Sequence, residues 1–421
     1  MPITAIGIAL RQPTQDNSYL WHVEAGLRQI DLGAVLTADP FTFTAAGEPW
    51  RTQSWLVELG YGWFERLGPL ASADVIVGFS AVVLLASVGL RVAPGRRLLG
   101  PLAVVWVMWL SLGHFTARPV FFSLALFGLL TLIADREKLR WTIPLLFWVW
   151  ASSHGGFVIG VGYLVLQALR TRRRSHLTDA TVGLLVASLT AHGWAIWEIL
   201  ISFAGSSDNL DLIREWLPPD FVSLPYWPFL AAIVALITLG TLGQIQRNDL
   251  WVILPFLVFA FTANRAVSLA AVAIVPFVFA PTLSSLGTSP LARPAAWTAV
   301  ALIFGLGWLV PVDDESFETK FPVLARSHLA DVPTFHDDAT GGYLIYEQFP
   351  YVFVDDRAEL FGGLYRRFVD AVAARPGWED LFEEHDVEQV LLRKEDTLVE
   401  VLRSEGWIAT FEDDQFVVLV D

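Results

Sequence analysis

A succession of apolar runs, each closed by a short polar connection, governs what this chain can fold into. Runs of helical character lie near 72–92, 98–113, 119–134, 141–153, 156–170, 178–193, 226–243, 249–262, 266–282 and 295–311. Lipid offers no hydrogen bonds, so each crossing segment must satisfy its own backbone, and a helix does so. A crossing takes about 20 residues. The shorter runs therefore read as helices extended by semi-polar flanks, or as broken helices beside a cavity. The expected fold class is an α-helical polytopic membrane protein of about ten spans.

The connections alternate in charge. One set holds RVAPGRR (91–97), DREKLR (135–140), RTRRR (170–174), Arg247 and Arg293. The other set is GHFTARP (113–119), SSHGG (152–156), AHGW (191–194), the acidic loop 205–225 and ANR (263–265). Short basic loops stay in the cytoplasm. By alternation, residues 1–70, the second set and the chain beyond Asp313 are expected outside the cytoplasmic membrane. Residues 3–10 are too short to cross, and are read as the remnant of a first helix with Met1 an internal start.

Charge separates the domains. From Asp313 onward there are 26 acidic against 9 basic residues, leaving 17 and 19 of the chain's 43 and 28 for everything before it. Three regions are expected: an extracytoplasmic loop region over 1–70, a membrane domain over 71–312 and an acidic α/β domain over 313–421. In the last, VPTFHDD and VEQVLLR read as strands, TGGYLIYEQ as a short helix or extended turn, and YVFVDD as a β run ending in acids. Residues 360–385 read as helix broken at Pro376, TLVEVLRSEGW as helix closed by Gly406, and the C-terminus as a hairpin turning on Asp413-Asp414. Nothing in this charge pattern would neutralise a phosphate backbone, so no nucleic-acid partner is expected. The absence of Cys excludes disulfides and thiolate metal sites.

Chemistry concentrates in the polar stretch before the first long run, DNSYLWHVEAG followed by ADPFTFTAAGEPWRTQSWL. Asp16 has the character of a general base toward an acceptor hydroxyl. Its structural alternative is an N-cap for the helix that follows. Asp39 precedes Pro40 and is held extended. Trp21, Trp50, Trp55 and Trp63 suit stacking on a sugar or an isoprenoid and equally an interfacial belt; the belt is the reading for Trp63, and Trp50 and Trp55 stay open between the two. His114, Arg118, His154, His192 and Arg265 fall at outer helix ends, and the two arginines suit bidentate phosphate contacts. The histidines, with Asp16 or Asp39, are metal-ligand types in a spacing that matches no metal motif. No cofactor is expected with certainty, and a divalent metal stays open. Asp337, Asp338, Asp355 and Asp356 close strands where ligands bind in open α/β sheets, or serve as turn residues and caps.

The order of these pieces, together with FTARPVFFSL, WVWASSHGGFVIG, REWLPPDF, ANRAVSLAAVAIVP and DDATGGYLIYEQFPYVFVDDRAELFGG, resembles a group of bacterial multi-spanning membrane proteins similar to the GT-C glycosyltransferases. The resemblance implies transfer of a hexose or pentose from a polyprenyl-phosphate donor to an envelope glycan or protein acceptor, outside the cytoplasmic membrane. It implies a base role for Asp16, a supporting catalytic role for Asp39 in acceptor or donor placement, a place in the Trp-His pair of the motif for His22 and a phosphate contact for Arg265; Arg118, His154, Trp50 and Trp55 join them as substrate-binding candidates from the residue reading alone. Ser18 stands where many of the group carry a second Asp. The contrasting reading is a non-enzymatic transporter or an assembly scaffold for envelope glycans or lipids.

Overall fold

The computed structural model describes residues 16–92, 99–205, 217–279, 317 and 320–421. Residues 3–10, Arg293, the run 295–311 and parts of the loops 91–97 and 205–225 lie outside the described residues. The chain divides into two compact units. One gathers Thr14–Ser72 with Asp313–Asp421, and the other holds Met1–Pro13 with Ala73–Val312. The opening stretch and the acidic tail, expected as separate regions, thus fold as one body.

That body begins with α1 (Asn17–Leu32) and α2 (Trp55–Glu65). Asp16 caps α1 by accepting from Ser18 N at 3.0 Å, and Gly33 closes it in the left-handed conformation, φ 63°. The two helices cross at Gly26 and Gly62. A Cβ on Gly26 would lie 1.9 Å from the Glu58 carbonyl oxygen, and one on Gly62 would lie 2.6 Å from Gly26 C. Only glycine permits so close a crossing.

The regular structure among the second unit's described residues is all helical. Its helices are α3 (Ala71–Arg91, entered from the first unit), α4 (Leu99–Leu110), α5 (Pro119–Ala134), α6 (Ile143–Ala151), α7 (Phe157–Thr171), α8 (Arg174–Ala187), α9 (Ala195–Gly205), α10 (Trp227–Thr241), α11 (Leu250–Thr262) and α12 (Ala266–Phe279). Pro119, Pro144 and Pro228 sit in first turns, where a missing N–H costs nothing. Among the described residues two segments, Ala71–Arg91 and Leu224–Thr241, are long and apolar enough to cross a membrane.

Helix ends grouped by the charge alternation are joined by ion pairs. Arg91 meets Asp135 at 3.0 Å and donates to Val272 O and Tyr163 OH. Arg140 grips Asp179 through two 2.8 Å bonds, and Arg170 meets Asp249 at 2.8 Å. These arginines are partly buried staples between helices, a role that loop charge alone does not reveal.

The rest of the first unit comes from the tail: α13 (Val323–Arg326), β1 (Thr334–His336), α14 (Asp338–Tyr346), α15 (Ala358–Phe361), α16 (Gly363–Val372), α17 (Trp378–Glu384), β2 (Gln389–Arg393), α18 (Thr397–Ser404), β3 (Ile408–Glu412) and β4 (Phe416–Val420). The sheet order is β1-β2-β4-β3, with β1 and β2 parallel and the other pairs antiparallel. Val352 bridges Thr334 on one side and Thr42 on the other, so the opening stretch extends the sheet past β1. Phe43 N donates to Val352 O at 3.0 Å, and Thr44 Oγ1 to Phe353 O. Ala45 is buried in the tail's apolar core beside Phe335, Phe353, Phe368, Phe382, Leu398 and Val417, with Phe43 against it. Burial of that shared core holds the two sequence-distant parts together.

Candidate functional site

The first turn of α1 is a second place where the opening stretch meets the tail. Asp16, half-buried, binds Ser18 N, while the Ser18 hydroxyl donates to Asp356. Trp21, one turn further on the same face, donates its indole N–H to Asp356 Oδ1 at 2.7 Å. From α14, a Cβ on Gly342 would lie 2.3 Å from Asn17 O, and one on Gly341 would lie 2.1 Å from Val354 O. The TGGY glycines thus press one helix onto both the YVFVDD run and the start of α1.

Beside this turn Arg357 is enclosed. Its guanidinium meets Asp39 Oδ1 at 2.8 Å and Asp355 Oδ1 at 2.8 Å, and a further N–H of it donates to Asp355 Oδ2. It lies 4.4 Å from the Trp50 ring centre, 5.3 Å from Phe41 and 5.4 Å from Trp21. These are cation–π distances. Burial works against the charged guanidinium, and Asp355 and Asp39 more than offset it, raising its pKa above that of an ordinary arginine. Asp39 is 3% exposed and also accepts from Phe41 N, Thr42 N and Thr42 Oγ1. These bonds tie the turn after Asp39 to Arg357. Trp50, 8% exposed, roofs the guanidinium.

His22 belongs to a neighbouring buried network. Its Nδ1 lies 2.8 Å from Glu58 Oε1, and Gln29 Nε2 and Thr52 Oγ1 donate to the same carboxylate at 2.8 and 2.5 Å. Glu58 has no exposed surface. Burial, then the charges of Glu58 and Asp16, raise the pKa of Tyr61 well above that of an ordinary phenol. Trp55 opens α2, partly exposed. Glu65, at the end of α2, accepts from Tyr19, Ser72, Leu70 N and the tail's Tyr346, just before the chain enters α3.

The remaining candidates belong to the helical unit. Arg118 is the N-cap residue of α5, and Arg265 precedes α12. His154 Nδ1 accepts from Gly156 N at 2.9 Å in the SSHGG turn. His114 Nδ1 lies 3.5 Å from Ser268 Oγ, which donates to Arg265 O at 3.1 Å, so two of the expected outer ends come together.

The strand-end acids divide their roles. Asp337 caps α14 through Thr340 N, and Asp338 accepts from Tyr365 OH at 2.7 Å with its pKa raised by burial. Asp355 and Asp356 serve the opening stretch. Among the described residues no three His, Asp or Glu are arranged to hold a metal.

No protein-family model matches the chain, and no curated protein matches it in sequence. Two crystal structures of ArnT from Cupriavidus metallidurans do match in fold. The apo structure gives a TM-score of 0.58 at 13% identity, covering 96% of this chain and 93% of ArnT's. The structure bound to undecaprenyl phosphate gives 0.54 at 14% identity, covering 99% and 96%. The chain has the ArnT fold. The fold expected from the motifs is therefore met in three dimensions.

Arg357 and Glu58 escaped the sequence reading as site residues. Glu58 carried a signal, a single acid inside the apolar helix WLVELGYGWF. Arg357 follows two acids at the end of a β run and looks like one more surface charge.

Proposed function

We propose that this protein is a membrane glycosyltransferase that takes a sugar from a polyprenyl-phosphate donor and passes it to an envelope acceptor on the extracytoplasmic side. The observation that carries the proposal is the match, over nearly all of both chains, to ArnT bound to undecaprenyl phosphate. In this reading Asp16 takes the proton of the acceptor hydroxyl. The acceptor oxygen bonds to the anomeric carbon as the bond to the phosphate oxygen breaks, and polyprenyl phosphate leaves with the electron pair. Arg118 and Arg265 serve the lipid phosphate, since stabilising the departing charge is a large part of such a barrier. Asp39 acts through Arg357, keeping the loop that carries Trp50 and leads into Trp55 in place, and His22 is held by Glu58.

Undecaprenyl phosphate binding to the purified protein, followed by native mass spectrometry, tests the donor class. Retention of undecaprenyl phosphate in preference to undecaprenol, weakened in Arg265→Ala, is the expected result. Equal retention of phosphate and alcohol would overturn the assignment. Lipid-linked sugar moved across the membrane with no covalent product would favour transport instead.

A further inference from the structure

Two carboxylates far apart in sequence converge on one residue. Ser18 gives its backbone N–H to Asp16 and its hydroxyl to Asp356, so the first turn of α1 is bound from the loop side and from the tail side together. The hold is not a single bond. Asp356 also takes the Trp21 indole N–H at 2.7 Å, and Gly342 lies against Asn17 O with no room for a side chain. Asp356 is itself half-buried and follows Asp355, whose carboxylate is locked to Arg357. The backbone carrying Asp356 is therefore rigid where it meets α1.

A helix end frays unless it is capped or packed, because its first N–H groups lack intrahelical partners. Ser18 N holds one carboxylate oxygen of Asp16, so a shift of Ser18 moves a contact that orients Asp16. A catalytic base displaced by about 1 Å can lose two orders of magnitude in rate. Resting on the assignment of Asp16 as base, we infer that Asp356 is a positioning residue: the tail orients the base through Ser18 and Trp21, and the tail is in this way part of the catalytic apparatus.

Asp356→Asn preserves shape and one acceptor oxygen but removes the charge that strengthens both bonds. Two readouts on the full-length protein in micelles decide the matter. Hydrogen exchange in Asp356→Asn should rise at least about tenfold over residues 17–21 while β2 and β4 keep wild-type protection. With undecaprenyl phosphate carrying a radiolabelled hexose or pentose as the probe, kcat should fall about tenfold or more while KM for the donor stays within about twofold. Asp356→Glu should recover part of kcat.

Unchanged exchange at 17–21, or a rise spread evenly through β2 and β4, would overturn the inference. So would a wild-type kcat. Asp16→Asn, assayed alongside, separates the two claims: full activity there removes Asp16 as the base. The exchange arm still reports whether Asp356 holds Ser18.

Discussion

Arg357→Met tests the idea that a buried ion cluster joins the opening stretch to the tail. Methionine keeps much of the aliphatic stem and can still pack among Trp21, Phe41 and Trp50. It leaves the side chains of Asp39 and Asp355, both 0% exposed, without their cation. Removing one partner of a buried pair costs about 3–5 kcal/mol, because the other charge stays desolvated. Here two carboxylates are stranded, so the upper half of that range is expected. The triple variant Asp39→Asn, Asp355→Asn, Arg357→Met should recover at least half of the loss, since the cost lies in the uncompensated charges. Pulse proteolysis against urea, read from a C-terminal tag in detergent, measures both variants. A loss below about 1 kcal/mol for Arg357→Met, or no recovery in the triple variant, would refute the reasoning.

Further expectations follow from single contacts. Gly342→Ala pushes a methyl into Asn17 O and should cost about 1–3 kcal/mol by the same assay, whereas Gly363→Ala, with nothing within 4 Å, should be near neutral. Glu58→Gln should cost about 1–3 kcal/mol, because three buried donors lose a charged acceptor. His336 is fully buried, with Nε2 accepting from Phe353 N and Nδ1 beside Asp337 O, and burial lowers its pKa from 6.5 to about 4. The unfolded chain takes up this proton first, so the stability is present above pH 6.5 and lost as pH falls to about 4. At 1.36 kcal/mol per pH unit, the loss is about 3 kcal/mol. The difference between wild type and His336→Gln across pH 4–7 isolates it from acids such as Asp396, whose pKa burial raises to about 6.

Local signals were easy to read and long-range pairing was not. The strand at 389–393, the helix at 397–404 and the hairpin over 408–420 follow from alternation and turn residues nearby. Asp413 takes Gln415 N and Phe416 N at the expected turn. Asp16 as an N-cap was foreseen too. That Phe43 would pair with Val352, or Asp39 with Arg357, left no trace in either neighbourhood, because each partner alone satisfies an ordinary local pattern. Trp63 is 64% exposed, and Trp50 forms one face of a cation–π cage that neither neighbourhood signalled. Likewise Arg91 and Arg140, read as loop charges, are interhelical staples.

Sugar transfer itself is the most direct test. Membranes holding wild type or Asp16→Asn would be given undecaprenyl phosphate bearing a radiolabelled hexose or pentose, and label in acceptor-bound product followed in time. The account predicts product from wild type and a rate lower by about 10²–10⁴-fold in Asp16→Asn. Equal product from both, or none from wild type with any donor while the lipid still binds, would contradict it.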